Sequence, residues 1–267
     1  MTTINTPTKV SDIALGSGGG DNSRRRLFWI GTVLAVSLIP IFLLQALWAR
    51  LLITPWYLPL GGSLAALLVL RAAVAPVRLP RLGIAIFCFA LAGLEWFFLL
   101  GATVLPTYKG PVVAGSTIPA FHATLADGSE IDASYFQQNR PTALVFFQGR
   151  WCPFCMTQLK ELEAQHEQIG RLGANVVVVS IEDVDAAVQT QRDYPHLTVV
   201  SDAQRELSSA IDLINQHSAP DGGDSAAPTI LLLDGQRKVQ TIYRPARFIA
   251  RPSAEKIASA LEHGSSL

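Results

Sequence analysis

Ala143-Leu144-Val145-Phe146-Phe147, the loop Gln148-Gly149-Arg150 and then Trp151-Cys152-Pro153-Phe154-Cys155 read as a buried strand running into two thiols at the mouth of a helix, Met156 to Leu172. A cysteine in the first turn of a helix meets unpaired N–H groups and the positive end of the macrodipole, which favour a thiolate over a thiol. Cys152 is therefore the expected nucleophile. Cys155 lies one turn deeper, near enough to close a disulfide and resolve what Cys152 attacks. Pro153 suits a first helical position, because its φ is fixed and its missing N–H would be unpaired there.

A Cys-x-x-Cys is also half of a zinc site. Zinc asks for four ligands at defined spacing, and this chain offers no second pair. Cys88 lies in an apolar segment, and His122, His166, His196, His217 and His263 are scattered without ligand spacing. No metal and no cofactor is expected.

The chain of 267 residues has an uneven makeup. Between Arg26 and Arg50, Arg50 and Arg71, and Arg81 and Lys109, the sole charged side chain is Glu95. Each stretch holds about 20 or more residues, enough at ~1.5 Å per residue to cross a ~30 Å hydrocarbon core. Tryptophans 29, 48, 56 and 96 stand near their margins, as at membrane interfaces. The sequence thus predicts three transmembrane helices near 27–49, 56–75 and 82–105. Pro55, Pro59 and Gly61-Gly62 mark the middle one as a candidate for a kink or a re-entrant turn. Glu95, ionisable at membrane depth, is either a proton or partner site or a neutral acid bonded to a neighbouring helix.

Arg24-Arg25-Arg26, Arg71, Arg78 and Arg81 against a lone Arg50 put the tail and second loop inside. Three spans then carry everything after Lys109 across an inner membrane into an oxidising periplasm. Formal net charge is zero with no basic face, which argues against nucleic acid.

The expected organisation is a disordered tail over 1–26, rich in Gly and Ser, a membrane domain over 27–105, a linker over 106–114 and an α/β domain over 115–267. In the last, hairpin turns are expected at Asp127-Gly128 and Asp234-Gly235, and buried strands at 143–147 and 176–179. Helices are expected over 156–172, over 184–192, from an N-cap at Ser201-Asp202 to about Leu213, and over 253–261.

Several segments resemble the thioredoxin superfamily, and within it the peroxiredoxin-like alkyl hydroperoxide reductase/thiol-specific antioxidant branch. They are Gly115-Ser116-Thr117-Ile118-Pro119-Ala120-Phe121, Asp127-Gly128, the strand into Arg150–Cys155, Leu197-Thr198-Val199-Val200-Ser201-Asp202 and Ala227-Pro228-Thr229. The resemblance implies a thioredoxin-like fold, Cys152 as the attacking thiol, Cys155 as its partner, and Pro228 as a cis-proline whose preceding residue, Ala227, faces the disulfide. Cys-Pro-aromatic-Cys is also similar to the glutaredoxin motif, which implies a less reducing pair than thioredoxin's. Four positions depart from the relatives. Val145 and Gly149 stand where peroxiredoxins keep the proline and threonine of the peroxide loop. Phe146 replaces the buried aspartate of thioredoxin, and Gln158 the glutamate of membrane-anchored reductants of the cytochrome-maturation type.

Three functions follow as expectations. The first is a membrane-anchored thiol-disulfide oxidoreductase acting on protein thiols or disulfides with a redox partner protein, with Trp151 flattening an apolar docking surface and Ala227 and Pro228 flooring the site. The second is a thiol peroxidase reducing hydroperoxides. The third is a Cu(I) delivery module using both thiolates. A general base is not assigned; Glu182, at the end of the second buried strand, is a candidate that more often serves as a helix-start residue.

Overall fold

The structure is a computed structural model that describes residues 18–74, 79–137, 139–264 and 267. The expectation of disorder over 1–17 and the orienting residue Arg78 lie outside the described residues. Three apolar helices open the chain: α1 (Gly18–Leu43), α2 (Tyr57–Ala73) and α3 (Leu79–Phe97), with π-helical turns at Leu44–Trp48 and Phe98–Ala102. The first begins at Gly18, so residues 18–26 are helical where the tail was expected to be disordered. Asn22–Trp48 and Leu79–Ala102, of 27 and 24 residues, are long and apolar enough to cross a membrane. The 17 residues of α2 rise only about 26 Å, short of a ~30 Å core. Pro59 falls in its first turn, where no intrahelical N–H is lost.

The chain divides into two compact units. One comprises α1 as far as Leu38, α2, and α3 as far as Glu95. Its interior is made of small side chains, Ala35, Ala65, Ala66, Ala72, Ala73, Ala85, Cys88 and Ala92, with Phe28 and Val69. Gly31 lets two helices approach so closely that a Cβ there would stand 2.9 Å from the Ala65 carbonyl oxygen. The large apolar residues, Trp29, Val33, Leu64, Leu67, Ile86 and Phe87 among them, point outward. Glu95 is buried against Gly62, and neither carboxylate oxygen has a hydrogen-bond partner.

The other unit holds Ile39–Trp56 and Trp96–Leu267, so the compact units cut across the expected domain boundaries. Its strands and helices are β1 (His122–Leu125), β2 (Glu130–Asp132), β3 (Thr142–Phe146), α4 (Pro153–Ala164), α5 (His166–Arg171), β4 (Asn175–Ser180), α6 (Val184–Asp193), β5 (Thr198–Ser201), α7 (Glu206–Ala210), β6 (Ile214–Asn215), β7 (Ser225–Ala226), β8 (Thr229–Leu233), β9 (Val239–Tyr243) and α8 (Ala254–His263). Seven strands form a mixed sheet in the order β2-β1-β5-β4-β3-β8-β9, and β6-β7 make a small separate ladder. The strands β3, β4 and β5 run parallel, and β8 lies antiparallel beside β3. Every residue of β3 is buried because both faces are covered. Ala143 and Val145 face a core with Leu159, Leu162 and Ile257, while Leu144 and Phe146 face one with Phe121, Phe136 and Ile211.

Both expected hairpins form. The expected single helix 156–172 starts earlier, at Pro153, and is interrupted at Gln165 into α4 and α5. Ser201-Asp202 does not cap a helix reaching Leu213. Ser201 belongs to β5, and the Asp202 carboxylate accepts from the amides of Leu207 and Ser208, tying down a helix of one turn.

Candidate active site

The parallel strand β3 ends at Phe146, and the chain leaves the sheet through Phe147 to Trp151 to enter α4. Gly149 makes that exit. Its φ is +153°, and a Cβ there would stand 2.6 Å from the Trp151 indole nitrogen and 2.8 Å from a Glu182 carboxylate oxygen. Both oxygens of Glu182 accept from the Arg150 amide, at 3.1 and 3.0 Å, so this half-buried carboxylate latches the loop. Burial pushes it above the usual carboxylate range, and the Arg150 amide and guanidinium pull the other way.

Cys152 is the N-cap of α4 and Pro153 its first residue, the arrangement expected from the sequence. The Cys155 amide donates to the Cys152 sulfur at 3.4 Å, and the Cys152 S–H donates to Gln148 Oε1 at 3.4 Å. Both thiols are free and buried, Cys152 at 1% exposure and Cys155 at 0%. Arg251, itself only 8% exposed, brings Nη2 to 4.0 Å from the Cys155 sulfur.

These partners act on the two thiols in opposite directions. Burial opposes a thiolate at Cys155, yet the S–H of Cys152, the Arg251 guanidinium and the Gln148 amide together outweigh it and bring that thiol down to about 6. Cys152 is pushed up, first by its hydrogen bond to Cys155, then by burial and the neighbouring charge. The helix end supplies Cys152 with one N–H, whereas a full cation stands beside Cys155.

The Phe154 ring packs between Phe42 and Phe248, with centroids 6.2 and 5.9 Å away, so the Ile39–Trp56 segment closes over this end of α4. Trp151 stays 38% exposed beside the pair. Thr229 pairs with Phe146, which sets Pro228 at the end of the sheet where the chain leaves for Cys152. The Ala227 amide donates to Leu213 O and its carbonyl accepts from Thr229 Oγ1, so both of its polar groups are engaged within the fold. Gln148 and Arg251 carry no sequence signal. One is a plain loop residue, and the other arrives about a hundred residues after Cys152 in an irregular stretch.

The histidines are less scattered than their spacing suggests. His166 and His196 stack with centroids 3.7 Å apart and planes 7° apart, and His196 Nδ1 lies 2.5 Å from Glu163 Oε1. Ligand atoms of the three residues lie within 4.8 Å of one another. An ion in the plane of one ring is well out of the plane of the other, so the cluster as it stands is a stacked pair held by a carboxylate, not a chelate.

Residues 114–242 match the AhpC/TSA family model. Nothing among the curated proteins matches the chain. Among solved structures, the chain is similar to reduced Prx3 from Vibrio vulnificus, with 18% identity, TM-score 0.51, and coverage of 57% of this chain and 99% of that one. It is also similar to a thiol peroxidase from Chromobacterium violaceum, with 15% identity, TM-score 0.50, and coverage of 59% and 91%. At these identities the structures speak to fold alone, and the mixed sheet, the two thiols and the family match agree. Residues 114–242 are a redoxin domain of the AhpC/TSA type, peroxiredoxin-like within the thioredoxin superfamily, and the chemistry of that domain is thiol-based oxidoreduction.

Proposed function

We propose that this protein is a membrane-anchored thiol-disulfide oxidoreductase whose Cys152–Cys155 pair exchanges with protein clients. The observation that carries the reading is Gly149. Peroxiredoxins place a threonine there to position peroxide, and here a side chain would collide with Trp151 and Glu182. Cys155, as thiolate, takes the proton of Cys152 while the Cys152 sulfur attacks a client disulfide; a mixed disulfide forms and one client sulfur leaves as thiolate. Cys155 then passes that proton to the departing thiolate and attacks Cys152, forming the intramolecular disulfide and releasing the second client sulfur. Two electrons pass from the pair to the client, and the reverse sequence oxidises one. Trp151 offers an apolar docking surface, and Ala227 and Pro228 contribute its floor.

Trapping tests the assignment. Cys155→Ser is expected to accumulate mixed disulfides with clients and Cys152→Ser to trap none; equal trapping by both would overturn the roles. The family match favours hydroperoxide reduction as the second reading. Reaction of the reduced chain with hydrogen peroxide several orders of magnitude faster than a free thiol would put that reading first.

Small residues inside and large apolar ones outside support the anchor. The expected topology puts the redoxin domain in the periplasm of a bacterium. An export-dependent reporter fused after Lys109 should then be active and one near Pro76 silent. The reverse result would mean that a segment fails to span, with α2 the first suspect.

A further inference from the structure

Behind Cys155 the second unit contains a cavity of about 610 Å³, within the range of small-molecule sites. Its walls include Arg50, Arg251 and Lys256, with Glu161 as the one acid, so three cations face a single carboxylate. Glu161 is already committed, accepting from the Ala254 amide at 3.0 Å at the start of α8. Among the described residues none of the three cations is in a salt bridge. Arg251 is more than nine-tenths buried and its Nε has no hydrogen-bond partner. Its Nη1 donates to the carbonyl oxygens of Arg247 and Ala250, at 3.5 and 3.0 Å, and its Nη2 faces Cys155, so what Arg251 brings to the cavity is a positive charge that no carboxylate among the described residues neutralises. Arg50 is held in the left-handed region, φ +53°, on the wall strip Ala49–Thr54, which follows the apolar helix Asn22–Trp48 directly in the chain.

We propose that this cavity binds a phosphate-bearing anion, and that its occupancy reports to the redox pair through Arg251. Two guanidiniums and an ammonium suit the tetrahedral, multiply charged oxygens of phosphate better than a single planar carboxylate. An anion there shares the Arg251 charge that otherwise serves Cys155, so the Cys155 thiolate becomes less favoured when the cavity is filled. The charged and titratable groups facing Arg251 are Cys152, Cys155 and Glu161 from α4, Lys256 from α8, Tyr243 from β9, and Arg50. The inference leans on the dithiol reading only for its reporter, since binding itself can be measured without any redox step.

The experiment uses the reduced full chain in detergent and titrates inorganic phosphate against chloride of equal ionic strength. Calorimetry reads binding, and thiolate absorbance against pH reads the pair. Phosphate is expected to bind and to lower the pair's first ionisation constant about threefold, a shift of roughly half a pH unit. Arg50→Gln with Lys256→Gln should abolish both signals, and Lys160→Gln on the exposed side of α4 should keep them. Arg251→Gln should raise the ionisation midpoint by itself and remove the response. In nanodiscs without free phosphate, a rise that requires phosphatidylglycerol beside phosphatidylcholine assigns the anion to a lipid headgroup, whereas a response to free phosphate alone assigns a soluble one. Equal effects of chloride and phosphate, unchanged binding in the double variant, or a phosphate response surviving in Arg251→Gln would each overturn the proposal. Failure of client trapping with phosphate binding intact would count against the exchange reading and leave this site standing.

Discussion

The two compact units solve the packing problem in opposite ways. In the redoxin unit the interior is filled by Phe146, Leu144, Leu159 and Ile257, and the exposed positions of α6, Asp185, Gln189, Arg192 and Asp193, are polar. In the helical unit the interior is mostly alanine, with Cys88, Phe28 and Val69, and Trp29, Leu64, Leu67, Ile86 and Phe87 face out. Water drives the first arrangement, because burying large apolar groups gains about 25 cal/mol per Å². A solvent as apolar as leucine removes that incentive and leaves close backbone approach between small residues as the gain. The contrast between the two units is the one the proposed membrane anchor calls for.

The largest effect that sharpens this contrast is electrostatic and confined to the redoxin unit. The reduced chain should show one thiolate appearing near pH 6, and Cys155→Ser should remove that phase altogether. With a folded value below the ordinary thiol value of about 9, Cys155 contributes stability above that value, and the contribution is lost as pH falls through about 6. A first ionisation at the ordinary thiol pH would remove Arg251 from the account. Next in size is Leu144→Ala, at the centre of the sheet, which should cost about 2–5 kcal/mol by thermal or denaturant unfolding. Gly149→Thr should cost on the order of 2–4 kcal/mol through backbone strain and overpacking, and should slow reduction of a model disulfide at least about tenfold. A fully active, equally stable Gly149→Thr protein would refute the loop argument and with it the case against peroxide. In the helical unit the order inverts. Enlarging the interior by Ala65→Leu should cost about 1–3 kcal/mol in detergent. Trimming the outward Leu64→Ala should cost less than about 0.5 kcal/mol. A larger loss from Leu64→Ala than from Ala65→Leu would mean that the helices pack as a water-soluble core.

Local chemistry explains why so much of the site is legible in sequence. A strand, a loop and a Cys-Pro-aromatic-Cys at a helix start are contiguous, so Cys152 as N-cap and Pro153 at the first position follow from neighbouring residues alone. The Asp127-Gly128 and Asp234-Gly235 turns are local in the same sense. The false helix after Asp202 shows the limit. Capping residues satisfy a local pattern, but the Asp202 carboxylate reaches instead for the amides of Leu207 and Ser208, and the chain stops after one turn.

The sequence by itself determined the two thiols, the hairpin turns and the apolar character of the first hundred residues, because each rests on contacts or periodicities within a few residues of one another. The redoxin sheet was legible only through the family resemblance. Tertiary structure alone brought a cation to the pair. A helix terminus is written beside Cys152, but the guanidinium that competes with it comes from Arg251, which meets Cys155 only after β8, β9 and the chain beyond them have folded back against α4. Coulomb interaction depends on distance in space, and distance along the chain does not encode it.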